Sequence, residues 1–168
     1  HSQASGHGAR IIGGGQSLSS DYPWMVSLKH VSTDSHFCGA SLVATNWIIS
    51  AAHCYEGETL DSFVAVVGEY DLDNVSEREH EVSIKNVFLP VGDLILMELN
   101  EAVDLPILAL ADDTLMATLE VGDTLTVAGW GDTDASDDTA YPSVLNQVDV
   151  PLYSQEDCAA AYLDYDAS

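Results

Sequence analysis

Basic residues are almost missing from this sequence. Lys and Arg together number 4 in 168 residues, against 28 Asp and Glu, which gives a formal net charge of −24, and neither occurs after Lys85. A surface of this charge repels phosphate backbones and anionic lipid headgroups, so nucleic acid and acidic membranes are excluded as partners. Solubility, or adaptation to a saline exterior in which counterions screen the self-repulsion, explains such an imbalance.

Long apolar runs are missing as well. No stretch reaches the roughly 18 consecutive apolar residues of a membrane-spanning helix, so we expect no membrane span. The start of the chain, residues 1–10, is polar and lacks the apolar segment of a signal peptide. We therefore expect that the chain has been processed already or is not numbered from its initiator. The composition, 46% hydrophobic and 19% charged, is typical of a globular domain.

Cysteine is scarce, with three residues in the chain. An oxidising compartment would pair Cys38 with Cys54, and closing a loop of that length stabilises a fold by about 3 kcal/mol in the chain-entropy model. Cys158 stands alone far downstream. An odd cysteine in a secreted protein indicates a free thiol, an intermolecular bridge, or a partner that is missing from the chain.

Helical patterns are few. Short segments of alternating apolar and polar residues recur along the chain between turn residues, which favours an all-β sandwich or barrel. The alternation is clearest at residues 26–29, 82–85, 124–127 and 147–152. Two segments look helical: residues 51–55, and the segment that begins at Ser154, an N-cap residue followed by acids. An acidic connection at residues 112–120 indicates a boundary between two strand-rich halves.

One segment holds a histidine where the backbone has little freedom. Residues 36–54 read HFCGASLVATNWIISAAHC, so that His53 lies beside Cys54 and follows Ala51 and Ala52, which are small enough for a tight turn. A histidine fixed in this way is suited to act as a general base. An isolated Ala-His-Cys would be interpreted as a core histidine, but the 19-residue segment as a whole favours the general base.

A carboxylate opens an otherwise apolar strand. Asp93 precedes residues 94–99 (LILMEL), and a buried charge at that point must be paired because an unpaired one is costly. The Nδ1–H of a histidine is a natural partner, and such a pair fixes the tautomer and orientation of the ring. The alternative is that Asp93 only caps the strand or lies in the turn after Gly92.

Two further segments complete a pattern. Residues 10–14 (RIIGG) would by themselves be a strand start, and residues 127–131 (VAGWG) a strand that ends in a turn. With the histidine and aspartate segments they resemble the chymotrypsin/trypsin family of serine endopeptidases, from Ile11 to about Tyr162. The resemblance implies an all-β fold of two antiparallel β-barrels, the second incomplete, with the active site in the cleft between them. It divides the chain into a propeptide at 1–10, an N-terminal barrel at 11–115 and a partial C-terminal barrel at 116–168.

The resemblance also assigns roles to individual residues. His53 matches the general base, Asp93 its orienting carboxylate, and Ser50 a hydroxyl that helps to hold that carboxylate. The bond between Arg10 and Ile11 matches the activation site, where cleavage frees an α-amino group that folds inward. The resemblance implies a secreted protein with protein or peptide substrates, an activating trypsin-like protease as partner, and no cofactor or metal. A protease that cuts after Lys or Arg would also find few sites in so acidic a chain.

Some features depart from the family pattern. The sequence contains no Gly-Asp-Ser-Gly-Gly segment, which supplies the nucleophile, and no cysteine that matches the family's partner for Cys158. We therefore expect a chain truncated before the catalytic serine, with no amidase activity of its own. The path from Pro90 to Asp93 is shorter than usual, with Leu89 where the family has histidine. In the acidic loop 69–81, where some members bind calcium, a solvated turn is the favoured interpretation.

Two functions follow from these observations. The first is a secreted trypsin-like serine endopeptidase zymogen, and the second is a non-catalytic homologue that keeps the fold as a protein-binding module. His53, Asp93 and a cleavable bond after Arg10 favour the enzyme, because a binding module has no physical need for any of them.

Overall fold

The computed structural model describes residues 13–90, 92–133 and 141–161. Within these ranges the chain forms nine strands, two short α-helices and one 3₁₀ turn. The strands are β1 Gly15–Gln16, β2 Met25–His30, β3 Ser35–Ala44, β4 Trp47–Ser50, β5 Phe63–Val67, β6 His80–Phe88, β7 Ile95–Leu99, β8 Thr124–Gly129 and β9 Asn146–Pro151. The 3₁₀ turn is Ala52–Tyr55, and the helices are α1 Asp113–Met116 and α2 Gln155–Ala161.

Six strands close into an antiparallel barrel. Their order is β2-β3-β4-β7-β6-β5, and β5 pairs back onto β2 to complete the closure. Alternation along each strand sends every second side chain inward, and each large apolar side chain buried there contributes about 1.5–3 kcal/mol. The inward residues that are essentially inaccessible include Val26, Leu28, Leu42, Ile48, Phe63, Ile95, Met97 and Leu99. This packed core is the rigid base from which the loops at the barrel end project.

The second half of the described chain forms a smaller sheet of order β1-β9-β8. β8 and β9 pair along their full lengths, from Thr124 opposite Pro151 to Gly129 opposite Asn146. β1 lies inside the range predicted for the N-terminal barrel, but its partner is β9, with Gly15 opposite Gln147. The first of the described strands therefore ties residues 15–16 to the second half.

The predicted all-β architecture is confirmed in its coarse form. One closed, six-stranded antiparallel barrel is present, and the described part of the second half is a three-stranded sheet. The alternation predicted β2, β6, β8 and β9 correctly, although β9 ends at Pro151. The segment expected to be a propeptide lies outside the described residues. No helix within the described ranges combines the length and the apolar character needed to cross a bilayer.

One of the helices, α1, is not predicted from the sequence. α1 lies in the acidic connection between the halves, and its N-cap is Asp112, whose side chain accepts a hydrogen bond from the backbone N–H of Leu115. Four residues leave no room for a helical period to be seen, so only the capping aspartate marks this helix. At α2, the hydroxyl of Ser154 accepts a hydrogen bond from the N–H of Asp157. Ser154 is therefore the N-cap, as predicted.

Candidate active site

Strand pairing brings His53 and Asp93 to the same end of the barrel. β4 and β7 are neighbours, with Ser50 opposite Ile95. The chain leaving β4 and the chain entering β7 therefore meet at one rim. His53 lies in the 3₁₀ turn just after β4, and Asp93 lies just before β7. The two residues are 40 positions apart in sequence and become neighbours through this register alone.

A disulfide fixes the turn that carries His53. Cys54 follows it directly, is 8% exposed, and is bonded to Cys38 on β3 with a Cα–Cα distance of 6.1 Å. This is the predicted pairing. Because the bond anchors the 3₁₀ turn to the neighbouring strand, the backbone at His53 has little freedom to move. The sulfurs are also spent in this bond, so the cluster Cys38, His53 and Cys54 offers no thiolate ligands to a metal.

Both oxygens of Asp93 accept hydrogen bonds from His53. The backbone N–H of His53 donates to Oδ1 at 2.9 Å, and ring Nδ1 lies 2.7 Å from Oδ2. The backbone hydrogen bond first, and then the ring hydrogen bond, hold the pKa of Asp93 below its ordinary value. The carboxylate is therefore ionised at neutral pH, and it favours the neutral tautomer of His53 in which Nδ1 carries the proton. This leaves a lone pair on Nε2, which is the state a general base requires.

Ser50, the last residue of β4, does not donate a hydrogen bond to Asp93. Its hydroxyl has one proton, and that proton goes to the carbonyl oxygen of Gly39 at 2.7 Å. The donors to Asp93 come from the 3₁₀ turn and not from Ser50. The pair is open to solvent in the described chain, with side-chain exposures of 63% for His53 and 60% for Asp93.

His53 faces a cleft of about 1170 Å³ between the barrel and the second sheet. Both halves contribute walls to it, so the cleft exists only because the two units are packed together. The barrel contributes Met25, Phe37 and Ile49, and the second half contributes Val127, Trp130 and Tyr141. A mostly apolar groove with a base at its edge can accept an extended chain and exchange a proton with it.

A second histidine in the cleft was missed by the sequence analysis. Nδ1 of His36 on β3 lies 2.8 Å from the hydroxyl of Ser27 on β2, and the ring centroids of His36 and Trp130 are 5.3 Å apart in a T-shaped arrangement. Burial, and then the charge of Lys29, lower the pKa of His36 to about 4. No local sequence signal marks His36, because Ser27, Lys29 and Trp130 reach it from other parts of the chain.

We expect His36 to make the fold sensitive to acid. The ring stays neutral in the folded protein down to about pH 4, whereas in the unfolded chain it takes up a proton near pH 6.5. The folded state therefore binds fewer protons between these values, and stability falls as the pH falls from 6.5 to 4. Over this whole pH interval the free energy of unfolding falls by roughly 3 kcal/mol. Urea unfolding at about pH 7 and pH 4.5 measures this loss, which His36→Gln should reduce and the exposed control His80→Gln should not. An equal loss in His36→Gln and the wild type would contradict the assignment.

The acidic loop after β5 is predicted to be a solvated turn, but its first residue, Glu69, is not solvated. Glu69 turns inward, is 2% exposed, and lies 2.9 Å from the ammonium of Lys29. Burial raises the pKa of Glu69, although Lys29 and the N–H of Tyr70 oppose this. Farther along the loop, Asp71 accepts hydrogen bonds from the N–H of Asp73 and the amide of Asn74, as in a solvated turn.

The remaining predicted residues are placed as follows. Arg10 and Ile11 lie outside the described residues. Cys158 lies on α2 as a free thiol. Gly92, directly before Asp93, has a φ of 70°, which favours glycine.

Comparison with known proteins gives consistent matches. The family model described as Trypsin matches residues 11–167. Trypsin I-P1 of Gallus gallus is 32% identical over 161 residues, which cover 91% of this chain and 62% of that protein. Serine proteinase stubble of Drosophila melanogaster is 32% identical over 173 residues, or 92% of this chain and 21% of that protein. The solved structure of the Vibrio cholerae VesB protease superposes with a TM-score of 0.78 at 29% identity, covering 90% of this chain and 47% of that one. The chain thus spans less than two thirds of the length of these relatives.

Proposed function

The chain belongs to the trypsin family of serine proteases, and from this premise we propose that it carries the general base and the orienting carboxylate of a secreted, trypsin-like serine endopeptidase. The observation that supports this most strongly is that both oxygens of Asp93 are bonded to His53, one to the backbone and one to the ring. A carboxylate that only capped the strand would have no reason to meet Nδ1. Secretion is supported by the Cys38–Cys54 disulfide, which persists in oxidising compartments.

The proposed chemistry moves one proton through His53. As a serine oxygen forms its bond to the substrate carbonyl carbon, the hydroxyl proton passes to Nε2, and the resulting imidazolium is stabilised by the charge of Asp93. The same proton then goes to the amine that leaves when the peptide bond breaks. The 168 residues contain no Gly-Asp-Ser-Gly-Gly segment. We propose that residues 1–168 alone hydrolyse no amide bond, and that a segment of that kind supplies the nucleophile and the oxyanion donors.

We further propose that the protein is a zymogen activated at the bond between Arg10 and Ile11. A basic residue followed by Ile-Ile-Gly-Gly is suited to cleavage by a trypsin-like protease, which would be the activating partner. The test uses the full-length protein and peptide substrates. Trypsin treatment is expected to switch on hydrolysis in the wild type but not in Arg10→Gln, which leaves that bond uncut. Full activity of uncut Arg10→Gln would rule out activation at this site.

A non-catalytic homologue that acts as a protein-binding module is the second candidate. The same experiment separates the two functions. A module would remain without hydrolytic activity after cleavage at Arg10, and it would still hold its binding partner when His53 is replaced by Ala.

A further inference from the structure

The barrel turns a polar face toward the second half of the molecule. Ser27 and Lys29 lie on the side of β2 opposite to the core residue Leu28, yet they are 0% and 8% exposed. They are covered because Met25, at the start of the same strand, packs with Trp130 and Leu145 of the second half. Lys29 is one of only 4 basic residues in the chain. Burial of so rare a charge needs a specific partner.

That partner is Glu69, and the backbone is shaped to deliver it. Lys29 Nζ lies 2.9 Å from Glu69 Oε2, and Oε1 accepts the N–H of Tyr70 at 3.2 Å. Gly68, with a φ of 79°, makes the inward turn, and its N–H donates to the carbonyl of Met25 at 2.8 Å. A Cβ at Gly68 would stand 2.9 Å from the carbonyl oxygen of Arg78, so only glycine fits this turn.

The residues directly after Glu69 hold one wall of the cleft. The carbonyl of Tyr70 accepts the indole Nε1–H of Trp130 at 3.2 Å and the backbone N–H of Leu145 at 2.9 Å. Two residues later, the N–H of Leu72 donates to the carbonyl of Ser143 at 2.9 Å. Trp130 and Ser143 both line the cleft that His53 faces. The segment 70–72 is therefore a strap between the buried ion pair and the cleft wall.

We propose that the Lys29–Glu69 ion pair is a positioning device for the cleft: it fixes the strap 70–72, and the strap sets Trp130 and the 143–145 segment in the wall opposite His53. A buried ion pair gives little net stability compared with apolar residues of the same volume. Its effect is to give one arrangement of the strap a much lower free energy than the alternatives, because Glu69 has its charged partner in only one place. That this wall contacts substrate rests on the proposed function, whereas the positioning itself does not.

The test measures hydrogen exchange of the Trp130 indole N–H by NMR in the full-length protein. Its signal is assigned by its disappearance in Trp130→Phe. In Lys29→Met we expect exchange to be faster by about tenfold or more, because the strap loses its anchor and the bond to the Tyr70 carbonyl opens more often. The indoles of Trp24 and Trp47 serve as internal references and should change by less than about twofold. Lys85→Met, which removes the lysine of the exposed Lys85–Glu98 pair, is the matched control.

A double variant separates positioning from stability. Lys29→Met with Glu69→Met removes both charges, so we expect the midpoint of thermal unfolding to return close to the wild-type value while Trp130 exchange stays fast. This variant also gives the readout if Lys29→Met alone does not fold. In the active protease, the double variant should have a higher KM for peptide substrates than the wild type, with kcat nearly unchanged. The proposal is overturned if Trp130 exchange is normal in the folded double variant, or if all three indoles accelerate equally. Normal KM with fast Trp130 exchange would instead count against the wall as a substrate contact.

Discussion

Replacing Asp93 by Asn is expected to lower kcat about 10⁴-fold, the magnitude that this change has in Ser-His-Asp hydrolases. The hydrogen bonds around Asp93 give the reason. The backbone N–H of His53 can only donate, so the single oxygen of the asparagine must stay at the Oδ1 position. The NH₂ group then faces Nδ1, which has to accept. The proton of the ring moves to Nε2, and the base loses its lone pair.

Steady-state kinetics of the activated full-length protein measures this effect. Asp61→Asn is the matched control, since Asp61 is an exposed aspartate that takes no part in the hydrogen bonds between His53 and Asp93, and its replacement should leave kcat unchanged. Circular dichroism of both variants checks that the barrel is intact, because Asp93 lies at the rim and not in the core. An Asp93→Asn enzyme that keeps more than about a tenth of the wild-type kcat would remove this carboxylate from the proposed mechanism.

The elements that the sequence predicts well are those with a local pattern. Alternation at 26–29 and 82–85 corresponds to β2 and β6 because one face of each strand is buried in the barrel. The Cys38–Cys54 disulfide could be predicted because the chain has three cysteines, which leave few possible pairings. The pair of His53 and Asp93 came from resemblance to a family, since no local signal joins two residues 40 positions apart.

The elements that the sequence did not predict depend on distant partners. β1 is two residues long and exists only because β9 pairs with it from the far half of the chain. Glu69 was one of many acids in its loop, and only the packed structure shows that it turns inward to Lys29. The resemblance implies that the Ser50 hydroxyl helps to hold Asp93, whereas the sequence alone does not show that this hydroxyl donates to the carbonyl of Gly39.

The most direct test of the account is labelling by a fluorophosphonate probe, which reacts with a serine only when a base draws off its proton. In the activated full-length protein we expect one serine per molecule to be labelled, and His53→Ala to slow that labelling by about 10⁴-fold or more. Mass spectrometry of the labelled peptide identifies the serine. Equal labelling of the wild type and His53→Ala, or a wild type that takes up no label after cleavage at Arg10, would contradict a proton-accepting imidazole held by Asp93.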